Sequence, residues 1–396
     1  MIQFTVYHRG GSVIMGTKKN SQKKKLTPEM RKRRNAARAR LASMLGVAAL
    51  CAAVIILVKI GSGAETPLEI NAADYECLAP QTELVTVGTA EDGTPVLAPA
   101  PIEEENTPAV DPVMAEVAAI TPKLKDTYPI DMIIRSQYAI VYDVEADEVL
   151  YAKNAEEKCY PASTTKILTS AVVLNNVGED FVFTVGDELD MVNEGSSLAM
   201  LSKGNQLDTG MIIDGLMLPS GNDAAYCAAA NVGRVLGNDE NLSPAQAVQN
   251  FVDEMNRVAQ NIGCTNTHFA DPDGFHDDRH YTTVLDMLKI TLYAEHFDRL
   301  NQAAATPYRY ATFLTGEQAS WENSNKLIQD YSDCYYMYAT GMKTGMTDEA
   351  GYCVVATAKR FDHQIICIVF GAEASDMRWN DTIALLDAAF VQVRNR

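Results

Sequence analysis

No two of the eight cysteines form a Cys-x-x-Cys pair, and the chain has neither His-Glu-x-x-His nor a complete calcium loop. These absences remove the usual zinc, calcium and thiol-redox signatures, and no metal or other cofactor is expected. His268, Asp271, Asp273, His276, Asp277, Asp278 and His280 crowd together in sequence but lack ligand spacing, and read as a polar loop at a cleft rim. Cys353 and Cys367 stand in apolar runs, so buried free thiols are expected. A disulfide cannot be assigned from spacing among these two and Cys51, Cys77, Cys159, Cys227, Cys264 and Cys334. Acids are nearly missing from residues 1–60, where thirteen Lys and Arg face Glu29 alone. The rest of the chain reverses this, and the whole carries a net charge of −19. A basic arm can bind nucleic acid, but this one lacks interleaved aromatics and abuts an apolar stretch, so no nucleic-acid partner is expected.

That stretch, Leu41 to Val58, has no charge and no proline over 18 residues. It is long enough to cross a hydrocarbon core as a helix. Eleven Lys and Arg between Lys18 and Arg40 orient it with the N-terminus in the cytoplasm. The expected organisation is a basic cytoplasmic tail at 1–40, a transmembrane signal-anchor at 41–60, and an external remainder. Cleavage of the apolar segment as a secretory signal, after small residues such as Gly61-Ser62-Gly63-Ala64, is the alternative. Residues 61–125 are rich in Pro, Glu, Ala and Thr and hold one aromatic, Tyr75. Such a segment buries too little apolar surface to offset its ordering, so a disordered stalk is expected there. A single domain then fills 126–396, with no sequence signal for more than a monomer.

Within that domain, 138–143 and 148–152 are β-rich runs around Glu145-Ala146-Asp147 and predict a hairpin. A helical middle follows from about 161 to 300, in which Phe251, Val252, Met255, Val258 and Ala259 mark one helix face. Strands return at 338–343, 352–358 and 364–370, and a last helix is predicted over 382–393. Strands, helices, then strands and a helix make an α+β pattern: an antiparallel sheet flanked by helices, with a helical lobe inserted.

Three short motifs stand in order: Ser163-Thr164-Thr165-Lys166, Ser220-Gly221-Asn222 and Lys343-Thr344-Gly345. The first alone is weak, since Ser21-Gln22-Lys23-Lys24 matches it inside a lysine run. Together they supply a serine acyl-transfer site without histidine. Pro161 suits a first helical turn, which puts Ser163 and Lys166 on one face. Ser163 needs a base, and Lys166 serves only as a neutral amine, which burial and a second cation, Lys343, would favour. Ser220 offers a hydroxyl relay and Asn222 an amide to orient Lys166 or hold a substrate amide. Lys343 and Thr344 suit a terminal carboxylate, and Gly345 leaves room for an extended peptide along a strand edge. The N–H groups of Ser163 and Met346 are placed for an oxyanion hole.

From about 137 to 392 the chain resembles the serine-type D-alanyl-D-alanine carboxypeptidases, the low-molecular-mass penicillin-binding proteins. The matching segments include Pro161 to Lys166, Glu194-Gly195-Ser196-Ser197, Gly215 to Ala225, Asp271-Pro272-Asp273-Gly274-Phe275, Asn323-Ser324-Asn325 and Gly341 to Gly345. The resemblance implies that Ser163 is the nucleophile and Lys166 the base. It also implies Ser220 and Asn222 as relay and orienter, with Lys343 and Thr344 on the substrate carboxylate. The implied substrate is a peptidoglycan stem peptide ending in D-Ala-D-Ala, with β-lactams as inhibitors. Ser324 stands where some members carry a carboxylate-binding arginine, leaving Lys326 as a candidate substitute. The alternatives are a serine β-lactamase and a penicillin-binding sensor without turnover.

Overall fold

The computed structural model describes the strands at 84–89 and 95–99, residues 111–125 and residues 128–394. The basic tail, the apolar span at 41–60, Cys51 and Cys77 lie outside the described residues. Among those described, no helix is long and apolar enough to cross a membrane.

The chain divides into two compact units, residues 1–102 and 103–396. In the first, β1 (Leu84–Thr89) pairs antiparallel with β2 (Pro95–Pro99). The second opens with α1 (Pro112–Ala119), where the Asp111 side chain accepts a hydrogen bond from Val113 N at 2.9 Å. Both elements lie within the segment read as a disordered stalk, 61–125. The average composition of that segment hid a local β-rich run, Leu84 to Val87, and a short helix whose Met114 and Val117, three apart, are buried. The folded body therefore starts near Asp111, before the boundary expected at Asp126.

After α1 come β3 (Tyr138–Asp143) and β4 (Glu148–Lys153), then a 3₁₀ turn at Ala162–Thr165 that runs into α2 (Lys166–Asn176). The short pair β5 (Val182–Thr184) and β6 (Gln206–Asp208) leads to α3 (Thr209–Met217), α4 (Asn222–Leu236), α5 (Pro244–Asn261), α6 (Val284–Ala294) and α7 (Asp298–Ala304). A hairpin of β7 (Tyr308–Thr312) and β8 (Gln318–Glu322) precedes β9 (Ala339–Thr347), β10 (Gly351–Arg360), β11 (His363–Ala372) and α8 (Ser375–Arg394). The five-stranded sheet runs β4-β3-β11-β10-β9, antiparallel throughout. This is the α+β architecture expected, with the helical lobe between β4 and β9.

Strand β11 explains the layering. Its side chains alternate, so Ile366, Ile368 and Phe370 enter a core shared with α2–α6. Ile365, Cys367 and Val369 face the opposite core under α8, beside Trp379, Leu385 and Phe390. Both faces of the sheet are covered, which is why its strands read as continuous apolar runs. The last helix begins before the predicted 382 because Trp379 is already buried. Helix α5 buries the face read from sequence, and Ser243 and Gln246 close a capping box at its start. Helix α1 packs against α5 and α6 through Met114 and Val117. Losing two such side chains costs about 3–5 kcal/mol. A fragment starting at Asp126 should therefore melt roughly 10 °C below one starting at Asp111. Equal melting temperatures would show that α1 adds nothing to the domain.

Candidate active site

The sequence places Ser163 in the first turn of an α-helix. It lies instead in the 3₁₀ turn, and α2 begins only at Lys166. The backbone enters this turn through Ala162 at φ 49°. Thr164 Oγ1 donates to Pro161 O at 2.7 Å and Thr165 Oγ1 to Ala162 O at 2.8 Å, fixing the turn from within. In a 3₁₀ turn residues three apart eclipse, which brings Lys166 Nζ directly onto the serine. Lys166 Nζ lies 3.1 Å from Ser163 Oγ.

Lys166 is fully buried and has two further partners: Asn222 Oδ1 at 2.7 Å and the Asp273 carbonyl at 2.7 Å. Both are acceptors only. A neutral amine, with two hydrogens and one lone pair, must give its hydrogens to those oxygens and turn its lone pair to Ser163. Burial lowers the Lys166 pKa to about 8, against the opposing pull of Asp273, Asp271 and Asp223. The Asp273 carboxyl is itself pushed up to about 7 by burial, which outweighs the attraction of Lys166.

Asn222 is fixed from its other side, where Nδ2 donates to Ser196 Oγ at 2.9 Å. The loop bearing Asp273 is tied to the nucleophile's turn. Asp271 Oδ1 accepts from Gly274 N at 2.6 Å, Asp271 Oδ2 meets His280 Nδ1 at 3.1 Å, and His280 Nε2 meets Thr165 Oγ1 at 2.8 Å. Part of the polar cluster read from sequence as a rim loop is thus a scaffold behind Lys166. Phe275 and His276 line the cleft itself.

Ser220 is buried in the left-handed region at φ 62°, and its hydroxyl has no hydrogen-bond partner. The relay expected of it is not drawn by any bond here. Lys343 is buried on β9, with Nζ donating to the Thr344 carbonyl at 3.0 Å. Burial lowers its pKa well below the lysine range, with Lys166 and then Arg378 adding to the effect. Thr344 Oγ1 pairs with Ser324 Oγ at 2.6 Å. The residue that stands where some family members carry an arginine therefore touches Thr344, expected from sequence to bind the substrate carboxylate, while Lys326 is exposed to solvent.

Strand β9 is an edge of the sheet. A Cβ on Gly345 would come within 2.9 Å of Pro161 O and 3.0 Å of Ser163 N, so the strand lies directly against the nucleophile. Between β9, the Ser196 loop and the Phe275 loop is a cleft of about 450 Å³. Ser163, Ser196, Asn222 and Met346 line it, and Glu194, Asp348 and Glu349 give its lining an acidic character without Lys or Arg.

A buried lysine opposite a serine, on a helical lobe packed against an antiparallel sheet, defines a serine acyl-transfer protein with lysine in place of histidine. The pattern of one such family, described as D-alanyl-D-alanine carboxypeptidase, matches residues 125–374, and the chain belongs to that family. D-alanyl-D-alanine carboxypeptidase DacF of Bacillus subtilis is 29% identical over 258 residues, 64% of this chain and 62% of that protein. A D-alanyl-D-alanine carboxypeptidase of Streptomyces sp. strain K15 is 32% identical over 61% of this chain and 82% of its own length. The matched region thus spans less than two thirds of the Bacillus relative. The crystal structure of the Streptomyces K15 DD-transpeptidase superposes with TM-score 0.61 at 30% identity, covering 66% of this chain and 99% of that one. Penicillin-binding protein D2 of Listeria monocytogenes, solved in an ampicillin-bound form, gives TM-score 0.54 at 25% identity, covering 66% and 99%.

Of the residues predicted for the site, Ser163, Lys166 and Asn222 are joined by hydrogen bonds, Gly345 abuts the nucleophile and Met346 lines the cleft. Sequence reasoning missed the Asp273 carbonyl, because a backbone acceptor carries no residue signature. It also missed His280 and Thr165 as the scaffold beneath it.

Proposed function

We propose that this chain is a membrane-anchored serine carboxypeptidase that removes the terminal D-alanine from peptidoglycan stem peptides. The observation that carries the reading is the fully buried Lys166 Nζ, which lies 3.1 Å from Ser163 Oγ and whose other two partners only accept, so that the neutral amine turns its lone pair to the serine. In the reaction Lys166 takes the Ser163 proton as Oγ attacks the carbonyl of the penultimate D-alanine. The N–H groups of Ser163 and Met346 hold the oxyanion, while Lys343 and Thr344 hold the terminal carboxylate. The proton passes to the departing D-alanine amine, leaving an acyl-serine that water then cleaves, with Lys166 again as base. Ser220, whose buried hydroxyl has no hydrogen-bond partner within the protein, is the group that returns the proton to the leaving amine.

A β-lactam enters by the same attack and remains on Ser163. Fast release in class A β-lactamases needs a glutamate that activates water, borne on a Glu-x-x-Leu-Asn segment. None of Glu240, Glu254, Glu295, Glu317 or Glu322 begins such a segment. The basic run and the 18-residue apolar span support an anchor with the domain outside the cell. Fluorescent penicillin added to cells making the full chain should label a band in the membrane fraction. Deleting residues 1–60 should move the band to the soluble fraction, and Ser163→Ala should erase it. A purified domain should release D-alanine from a D-Ala-D-Ala peptide yet hold a long-lived penicilloyl adduct. Rapid penicillin turnover without D-alanine release would overturn the assignment, and label in the soluble fraction of the full chain would overturn the anchor.

A further inference from the structure

Arg378, near the start of α8, takes no part in the reaction as described so far. It is 8% exposed, and no ion pair among the described residues joins it to a carboxylate. Its Nη1 donates instead to two backbone carbonyls, Gly345 O at 3.2 Å and Cys353 O at 3.1 Å. Its Nε is buried without a partner, and its guanidinium stands 4.3 Å from the Trp379 ring centroid and 5.4 Å from that of Tyr352. Burying a cation on carbonyls and rings alone costs free energy that a neutral side chain would not.

The carbonyl it holds identifies a use. Gly345 C=O and Met346 N–H belong to one planar trans peptide group, so they point to opposite sides of β9. Arg378 Nη1 also reaches the carbonyl of Cys353, the register partner of Gly345 on β10, so the Gly345 C=O points toward β10. The Met346 N–H then points off the free edge of β9, where Met346 lines the cleft and Gly345 lies against Ser163 N. A charged donor on a carbonyl draws electron density from the amide and leaves its N–H a stronger donor, the more so where water is excluded.

We propose that Arg378 is a positioning residue for the oxyanion hole: it polarises and fixes the Gly345–Met346 peptide group, strengthening the Met346 N–H toward the oxyanion formed at Ser163. The inference rests on the acyl-serine reading given above. It differs from a purely structural role, in which Arg378 would only staple β9 to β10 through Gly345 and Cys353.

The purified domain starting at Asp111 is acylated with a β-lactam carrying a ¹³C-labelled carbonyl. Rapid quench gives the acylation rate, and isotope-edited infrared gives the acyl carbonyl stretch. Arg378→Gln is expected to slow acylation about tenfold, because the oxyanion contact operates only in the transition state. Affinity for the β-lactam before acylation should change by less than about twofold. The carbonyl stretch should rise in frequency, as the hydrogen bond to it weakens. Arg378→Lys, which keeps the charge on a shorter arm, should recover most of both changes. Should the Gln variant fail to fold, the Lys variant still reads the effect, through a smaller rise in the same stretch. An unshifted stretch in a folded variant, with or without slower acylation, overturns the proposal. A wild-type domain that forms no acyl-enzyme overturns the acyl-serine reading instead.

Discussion

A Lys166→Met domain is expected to fold but to acylate with penicillin at least about a thousandfold more slowly than the wild type, the scale of a lost general base. Met fills a similar volume, while Asn222 Oδ1 and the Asp273 carbonyl keep their positions from Ser196 and from the loop's own bonds. What disappears is the lone pair facing Ser163. The pH dependence of the wild type follows from the same amine. With its pKa lowered to about 8, Lys166 is mostly protonated at pH 6 and mostly neutral at pH 9. Acylation should therefore rise with pH and level off above about 8, with the pH 6 rate about a hundredfold below the plateau. Intact-mass time courses across that range measure both. A flat profile, or a folded Met variant with a near-normal rate, would remove Lys166 from the role of base.

Gly274→Ala should do comparable damage from a position that carries no chemistry. Gly274 sits at φ +81°, and a Cβ there would lie 1.9 Å from the Ala162 carbonyl oxygen and 2.4 Å from its carbon. Neither neighbour is a side chain that can swing aside, so backbone must move. What moves is either the Ser163 turn or the loop whose Asp273 carbonyl holds Lys166 at 2.7 Å. We expect roughly 3 kcal/mol of lost stability and at least a hundredfold slower acylation. Gly178→Ala is the control, because no atom lies within 4 Å of its Cβ. Thermal melting and penicillin labelling read the pair, and a Gly274→Ala domain that matches Gly178→Ala in both would refute the close-approach argument.

Much of this site was legible because its chemistry rests on side chains set at fixed spacing. The motifs name Ser163, Lys166 and Asn222, which the structure joins by hydrogen bonds, and the sheet announced itself through β-rich runs at both ends of the helical middle. The remainder is carried by things that residue names do not record. The 3₁₀ form of the nucleophile's turn depends on a left-handed Ala162, a residue without preference for that conformation. Asp273 serves through its carbonyl, and any residue has one. Arg378 sits 35 positions beyond Lys343, between the last predicted strand and the last predicted helix, and only the fold brings it behind Gly345. Helix α1 escaped notice because two buried residues in an acidic, proline-bordered segment give little periodicity to read.

Cys159, Cys227, Cys264, Cys353 and Cys367 are buried, and burial holds each thiol above its ordinary range. Cys334 alone of the described cysteines is partly open. In the external location proposed for the domain, these sulfurs are sheltered from oxidants for as long as the packing holds. The same shelter makes them a built-in clock. In the folded domain an alkylating reagent finds one accessible thiol, and each excursion that opens a core surrenders more, so the mass ladder of added labels records how often, and on which side of the sheet, the protein breathes.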